Sequence, residues 1–193
     1  MSFSILPTIR ALATSFVAPE RGLSCSTSLW RDGLAELRRR GRGERESGAF
    51  LLGHVVKARG RERRHVTRFA YYDDLDPHCL DTGIVVFDGA GYGPLWALCR
   101  EMGLTVVADV HTHPGIARQS DADRRHPMIA KAGHIAVIVP DFAQGEARGE
   151  RLGVYEYEGA HRWRDYSGPA AHRFLHIGAL VQRENRQLPE RLR

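Results

Sequence analysis

The stretch LTVVADVHTHPG, residues 104–115, constrains the fold of this chain more than any other segment. Its first half is apolar and rich in β-branched residues, which favour a buried β-strand. Pro114 and Gly115 then end the strand, because proline cannot continue a central hydrogen-bond ladder and glycine permits a sharp turn. Residues two apart in a strand point to the same face of the sheet. The sequence therefore predicts a buried strand that presents His111 and His113 side by side at its end.

The rest of the chain alternates between helix-like and strand-like segments. With 193 residues, 42% of them apolar and 26% charged, the chain is long enough for one domain with a sizeable core. Strands and helices mixed within one domain predict an α/β fold, an α+β sandwich with a central mixed sheet flanked by helices. We expect helices at about 28–40, with Ser28 as N-cap, and at 92–103; strands at 49–58, 64–73, 83–87, 104–113 and 134–142; and a hairpin over 151–166 that turns at Glu158 and Gly159.

The two ends of the chain differ from its middle. Residues 1–23 predict an N-terminal extension, because proline and glycine interrupt them. Residues 24–166 hold the regular elements and predict the folded domain. Residues 167–193 predict a C-terminal helix and tail, with the helix at about 170–182 before a charged end.

Cysteine usage and hydropathy bear on the compartment. The N-terminal residues lack the positively charged start of a secretory signal, and no run approaches the roughly 20 apolar residues of a membrane helix. Cys25, Cys79 and Cys99 are scattered and odd in number, which argues against a disulfide framework and against a thiolate zinc site. We therefore predict a cytoplasmic protein without a membrane partner.

The net charge of +5 comes from arginine, since Lys57 and Lys131 are the only lysines. Basic stretches at 37–45 and 59–64 could contact nucleic acid or an acidic partner. We favour the simpler interpretation, a solvated helix and loop surface.

The segment after His113 supplies further candidate ligands. Ser120 is a good N-cap, and Asp123 would then occupy the N3 position of a capping-box-like arrangement in a short helix. A turn that brings Asp123 back gives two imidazoles and one carboxylate, a donor set that suits zinc and leaves a fourth position for water. Asp109, on the same strand face as the histidines, is a rival ligand, and Asp121 is a spare acid.

The sequence gives little indication that the remaining histidines bind a metal or take part in catalysis. We interpret seven of them as ordinary surface or strand residues: His54, His65, His78, His134, His161, His172 and His176. His126 follows the candidate ligands closely, and it could assist them from a second layer.

The HTHP segment followed by SDAD resembles the H-x-H-P…S-x-x-D motif of the JAMM, or MPN-plus, zinc metalloproteases of the Mov34/JAB group. Residues 44–53, ERESGAFLLG, resemble that family's upstream glutamate segment. The resemblance covers roughly residues 24–166 and implies a JAB/MPN-like fold of the cytidine-deaminase-like type. It also implies one Zn2+ per chain held by His111, His113 and Asp123, with Glu46 as general base and then general acid, and Ser120 hydrogen-bonding the oxyanion. Glu44 is the rival base.

The same resemblance implies a function. An isopeptidase or peptidase of this family would cleave after the C-terminal tail of a ubiquitin-like protein, alongside E1- or E2-like enzymes, in a bacterial conjugation or defence system. We expect the tail to pair as an added strand beside the strand that ends at His113. The alternative is a nucleic-acid-associated module on the same fold without protease activity.

Overall fold

The computed structural model describes residues 22–58, 61–145 and 149–178. The strands in these ranges are β1 (Gly22–Ser26), β2 (Gly48–Ala58), β3 (Arg61–Tyr71), β4 (Thr105–Thr112), β5 (Ile135–Val139), β6 (Gly153–Gly159), β7 (Arg162–Asp165) and β8 (Leu175–Gly178). The α-helices are α1 (Thr27–Arg40), α2 (Tyr72–Leu75), α3 (Gly89–Met102) and α4 (Asp121–Arg125). Short 3-10 turns lie at Asp141–Ala143, Gly149–Arg151 and Gly168–Arg173.

All eight described strands belong to one mixed sheet, in the order β7-β6-β5-β4-β2-β3-β1-β8. The strand β4 lies in the middle of the sheet, antiparallel to β2 on one side and parallel to β5 on the other. This position explains its composition, because a strand buried on both faces is almost continuously apolar. The predicted mixed sheet is confirmed.

Helices cover both faces of the sheet. On one face α1 contributes Trp30, Leu34 and Leu37 to the larger core, and on the other α3 contributes Leu95 and Cys99 to the smaller one. Alternate residues of β2 enter the two cores, because successive side chains of a strand point to opposite faces: Ala49 and Leu51 on one side, Phe50 and Leu52 on the other. The expected flanking of a central sheet by helices is confirmed.

Both long helices begin and end at recognisable caps. The N-cap of α1 is Ser26, whose hydroxyl accepts a hydrogen bond from Leu29 N–H, so the prediction of Ser28 was wrong by two residues. The helix α3 begins after Asp88 and ends at Gly103, which has the left-handed φ of 63° that glycine tolerates. Its end matches the predicted end of the helix over 92–103.

Two local predictions in the middle of the chain were wrong. Residues 83–87 form a loop rather than a strand. The β6–β7 hairpin turns at Ala160 and His161, with φ of 50° and 56°, not at Glu158 and Gly159. Both residues of this turn are left-handed, as a type I′ hairpin turn requires, although neither is glycine.

The helix predicted near the C-terminal end was wrong over the residues that the structure describes there. Residues 168–178 form a 3-10 turn and the strand β8, not the expected helix at 170–182. Because β8 pairs with β1 in parallel, the sheet extends from Gly22 to Gly178, beyond both ends of the predicted domain at 24–166. Gly22 is required here, since a Cβ at this position would lie 2.0 Å from the carbonyl oxygen of Phe174. Residues 1–21 and 179–193, the rest of the predicted extension and tail, lie outside the described residues.

Candidate metal centre

The first two candidate ligands lie at the end of β4, next to the beginning of β2. The strands run antiparallel with Gly48 opposite His111. Thr112 faces away from the histidines and is fully buried, and its backbone N–H donates to Ser47 O while its hydroxyl accepts from Ser47 N–H. Because these bonds join the two strand ends, the residue before Ser47, Glu46, is held beside the histidines.

The rings of His111 and His113 face each other on one side of β4. Both residues are buried, and their Nε2 atoms lie 3.0 Å apart. Two lone pairs would repel each other at this distance. The arrangement is stable when one of the two Nε2 atoms carries a hydrogen and donates it to the other, or when both nitrogens bind the same cation.

Asp123 reaches the two histidines from the helix α4. Its Oδ1 lies 3.4 Å from His111 Nε2, and its Oδ2 lies 3.3 Å from His113 Nε2. The predicted capping box is confirmed: Ser120 Oγ accepts from Asp123 N–H at 3.1 Å, and Asp123 Oδ2 accepts from Ser120 N–H at 2.6 Å. The box fixes the carboxylate that points at the histidines. Asp121, in contrast, is exposed.

These three side chains have a geometry that suits a metal ion. Each offers a ligand atom within 4.8 Å of the others, and the closest separations are 3.0, 3.3 and 3.4 Å. Ligand atoms about 2.0–2.2 Å from a tetrahedral ion are separated by about 3.3–3.6 Å. The His–His–Asp group therefore fits a single small cation.

The electrostatics favour positive charge at the same point. Burial alone would lower the pKa of His111, but the carboxylates of Asp109 and Asp123 raise it to about 10. Burial would raise the pKa of Asp123, yet its contacts with His111 and His113 hold it well below its usual range. A metal ion that binds His111 must therefore displace a proton from it at neutral pH.

Glu46 lies beside this group, on a different strand end. Its Oε1 is 3.9 Å from His113 Nε2, and its Oε2 accepts a hydrogen bond of 3.1 Å from Val85 N–H. Its own backbone N–H donates to Gly83 O. The loop that replaces the predicted strand at 83–87 thus orients this carboxylate. Glu44, the rival base, is exposed on the turn after α1.

Asp109 does not belong to the group, although it was a rival ligand. It is 1% exposed, and its Oδ1 lies 2.6 Å from Nε2 of His134, a residue that we interpreted as ordinary. Its Oδ2 accepts a hydrogen bond from the Tyr72 hydroxyl and lies 3.7 Å from His111 Nδ1. No sequence signal pointed to His134, since its proximity depends on the parallel pairing of β4 with β5. His126 is exposed at the end of α4.

The loop from His113 to Ser120 is tied to the neighbouring strands. Phe142 N–H donates to His113 O, Asp141 N–H donates to Gly115 O, and the Tyr155 hydroxyl donates to Ala117 O. A cavity of about 480 Å³ lies beside this loop; its lining includes Gly115, Arg118, Asp141 and Arg151 but none of the His–His–Asp group. The loop thus separates the candidate metal centre from that cavity.

The fold and the site together define a mixed α/β protein with a group suited to a metal ion. No family model matches the chain. It is similar to a protein of Sinorhizobium fredii named "Probable metalloprotease y4jG", with 27% identity over 75 residues, which are 39% of this chain and 46% of that protein. The matched part thus spans less than half of the relative's length. Among the described residues of this chain, His111, His113 and Asp123 form a group that suits a metal ion.

Two solved structures resemble the chain. A solution structure of a protein from Desulfitobacterium hafniense matches with a TM-score of 0.58 and 14% identity, covering 84% of this chain and 97% of that one. A protein from Salinibacter ruber matches with a TM-score of 0.46 and 22% identity, covering 78% and 90%. The first match supports the overall fold only. No helix in the described ranges combines the length and apolar character needed to cross a membrane.

Proposed function

We propose that this protein is a zinc-dependent peptidase of the JAMM type, with a JAB/MPN-like fold, that cleaves after the C-terminal tail of a ubiquitin-like protein. The observation that carries the proposal is the position of Glu46. The carboxylate of Glu46, from the loop just before β2, lies 3.9 Å from His113 Nε2 without joining the three closest side chains. A site that only binds a metal needs no such acid, whereas a hydrolase needs a group that accepts and returns a proton.

The donor set fits zinc, because two imidazoles and one carboxylate form one of the three-ligand sets found in catalytic zinc sites. His111, His113 and Asp123 would hold the ion. When bound, zinc supplies a Lewis acid for the scissile carbonyl and makes water at the site more acidic. The buried rings and the capping box keep the three donors in place before substrate arrives.

Glu46 moves the proton in this proposal. Its Oε2 is held by Val85 N–H, so Oε1 is the oxygen turned toward the histidines. The carboxylate takes a proton from the attacking water and delivers it to the leaving nitrogen, which therefore departs as a neutral amine rather than as an amide anion. Such a positioned acid–base is worth about 10²- to 10⁴-fold in rate.

Ser120 is suited to stabilise the oxyanion. Its Oγ accepts a hydrogen bond from Asp123 N–H, which leaves the hydroxyl hydrogen free to donate elsewhere. Donation to the developing oxyanion gives this residue a role in the reaction beyond its role as the N-cap of α4.

The substrate proposal needs a different docking edge from the one expected from the sequence. Both edges of β4 are already paired, with β2 and β5, so an added strand has no place there. Apolar side chains are instead exposed on two loops next to the site: the loop that hydrogen-bonds Glu46 and the loop between His113 and Ser120. Ile84 and Val86, each 52% exposed, flank the residue that binds Glu46, and Ile116, 72% exposed, lies between His113 and Ser120. These side chains support the binding of an extended, apolar tail.

The test is to incubate the purified protein with a ubiquitin-like protein that carries either a C-terminal fusion or a lysine-linked target, and to locate the cut by intact mass. We expect a cut directly after the last residue of the tail, abolished by chelators and restored by Zn2+, and insensitive to thiol or serine reagents. Cleavage that survives chelation, or cleavage only within unfolded chains, would contradict the proposal. Tight, steeply salt-dependent DNA binding without any cleavage would favour the nucleic-acid module.

A further inference from the structure

Asp109 is a buried carboxylate that the proposed reaction does not use. We propose that Asp109, held by His134, is a positioning residue that fixes the ring of His111 so that its Nε2 faces the metal ion. The inference rests on the metal-binding part of the proposed function and is independent of the substrate. It gives His134, the residue just before β5, a part in the same arrangement.

The burial of Asp109 is costly without such a role. A carboxylate that is 1% exposed has lost its hydration, and only hydrogen bonds or opposite charges compensate for this loss. Among the described residues, two groups lie within hydrogen-bond distance of it: His134 Nε2 at 2.6 Å from Oδ1, and the Tyr72 hydroxyl at 3.4 Å from Oδ2. An apolar side chain of similar size would often stabilise a core at least as well as a buried charged pair. A purely structural role therefore does not explain a carboxylate here.

The unpaired nitrogen of His111 identifies the role. Nδ1 of His111 is buried and has no hydrogen-bond partner among the described residues. The carboxylate oxygen that faces it is Asp109 Oδ2, at 3.7 Å, a few tenths of an ångström beyond a hydrogen bond. When Nε2 of a histidine binds a metal, Nδ1 carries the proton, and that N–H is almost always donated to a carboxylate, a carbonyl or a water. Asp109 is placed to accept it.

The two ring nitrogens of His111 face different groups, and this distinguishes a positioning role of Asp109 from a role as metal ligand. Nε2 faces His113 and Asp123, whereas Nδ1 faces Asp109. A single ion bound at Nε2 lies on the side of the ring away from Asp109. The resulting chain runs from His134 through Asp109 to His111, and it reaches the ion only through the imidazole.

The experiment compares Asp109→Asn with wild-type protein by two measurements that need no substrate. Zn2+ affinity is measured by competition with a chromophoric chelator, and the visible absorption of Co2+-substituted protein reports the geometry of the ligands. We expect Asp109→Asn to bind Zn2+ about 10- to 100-fold more weakly and to shift the Co2+ bands. His134→Gln should change both in the same direction by less, because it acts on His111 only through Asp109.

Thr112→Val is the matched control. Thr112 is a buried residue of the same strand that makes hydrogen bonds on the opposite face. This variant should lose stability in thermal unfolding but keep the wild-type Zn2+ affinity and Co2+ spectrum. Equal loss of affinity in Thr112→Val and Asp109→Asn would overturn the inference, since both changes would then act through general destabilisation. If Asp109→Asn fails to fold, the outcome in His134→Gln decides.

Other outcomes separate this inference from the proposed function. Wild-type affinity and an unchanged spectrum in Asp109→Asn and His134→Gln would overturn the positioning role even if the protein cleaves its substrate. Loss of all bound metal in Asp109→Asn, with full binding in Asp123→Asn, would also overturn it, since Asp109 would then be the ligand. A third outcome is that Asp109→Asn binds Zn2+ more weakly while the wild-type protein cleaves no ubiquitin-like tail. That outcome would support the positioning role and contradict the proposed peptidase.

Discussion

Two clusters of charged side chains in this protein differ in how completely their hydrogen-bond donors and acceptors pair with one another. Around Arg40, at the end of α1, the guanidinium donates to Glu36 at 2.8 Å and to Asp73 and Asp74 at 2.7 Å, and it lies over the Tyr71 ring. Donors meet acceptors throughout at hydrogen-bond distance. The cluster joins the ends of α1 and α2, and it needs no further partner.

The candidate metal centre is built differently. The Nε2 atoms of His111 and His113 face each other, and the carboxylates of Asp123 and Glu46 approach them only to 3.3–3.9 Å. Several potential ligand atoms therefore converge on one region without pairing fully with one another. This is the arrangement expected where a cation completes the site.

Perturbed ionisation does not distinguish the two clusters. Hydrogen bonds from Arg39 and Arg40 lower the pKa of Glu36 to about 2, and the carboxylates around His111 raise its pKa to about 10. Shifted pKa values mark structural ion pairs as well as functional sites. The two clusters differ instead in how their donors and acceptors pair, and four predictions test this difference.

The largest expected effect is the loss of bound metal in His113→Ala. Two ligands hold a metal ion far less tightly than three, so metal analysis of the purified variant should find almost none. His126→Ala, which removes an exposed histidine at the end of α4, is the matched control and should keep its metal. Full metal content in both His111→Ala and His113→Ala would mean that the converging geometry does not mark a metal site.

The second effect is on turnover alone. Glu46→Gln should bind metal as the wild type does but cleave its substrate at least about 10²-fold more slowly, because the amide cannot take up the proton. Glu44→Gln, an exposed change two residues away, is the control and should leave the rate unchanged. The comparison is made by measuring steady-state cleavage rates of both variants and the wild type at saturating Zn2+. A wild-type cleavage rate in Glu46→Gln would show that Glu46 is not the general base.

The third effect is on stability, and it concerns the other cluster. Arg40→Met should lower the free energy of unfolding by about 2 kcal/mol, since it removes hydrogen bonds between charged groups and leaves carboxylates facing one another. Urea denaturation should detect this loss while Zn2+ affinity stays unchanged. Arg38→Met, an exposed change on the same helix, should have little effect. A change in metal affinity in Arg40→Met would mean that the two clusters are coupled.

The smallest effect concerns pH and Glu36. Its pKa is lowered from 4.5 to about 2 in the folded protein, so its charged form stabilises the fold above pH 4.5. That contribution, under about 1 kcal/mol for a surface pair, is lost as the pH falls from 4.5 toward 2. Melting temperatures of wild type and Glu36→Gln should therefore differ most above pH 5 and converge in acid. A difference that is constant across this range would contradict the assignment.

Local chemistry explains what could be predicted from the sequence. The strand β4 follows from its β-branched run, and the placing of His111 and His113 on one face follows from the alternation of strand residues. The capping box of Ser120 and Asp123 depends on a spacing of three residues, so it too was predictable. Each of these features is decided within a few residues of the chain.

Only the tertiary structure decided the features that join distant segments. The pairing of β8 with β1, the contact of Glu46 with the loop at 83–85, and the Asp109–His134 pair depend on which strands and loops become neighbours. Sequence periodicity reports which face of an element is buried but not which element covers it. For that reason the sequence by itself predicted which candidate ligands lie at the end of β4 and on α4. The fold decided that Glu46 approaches His113 and that Asp109 lies beside His134.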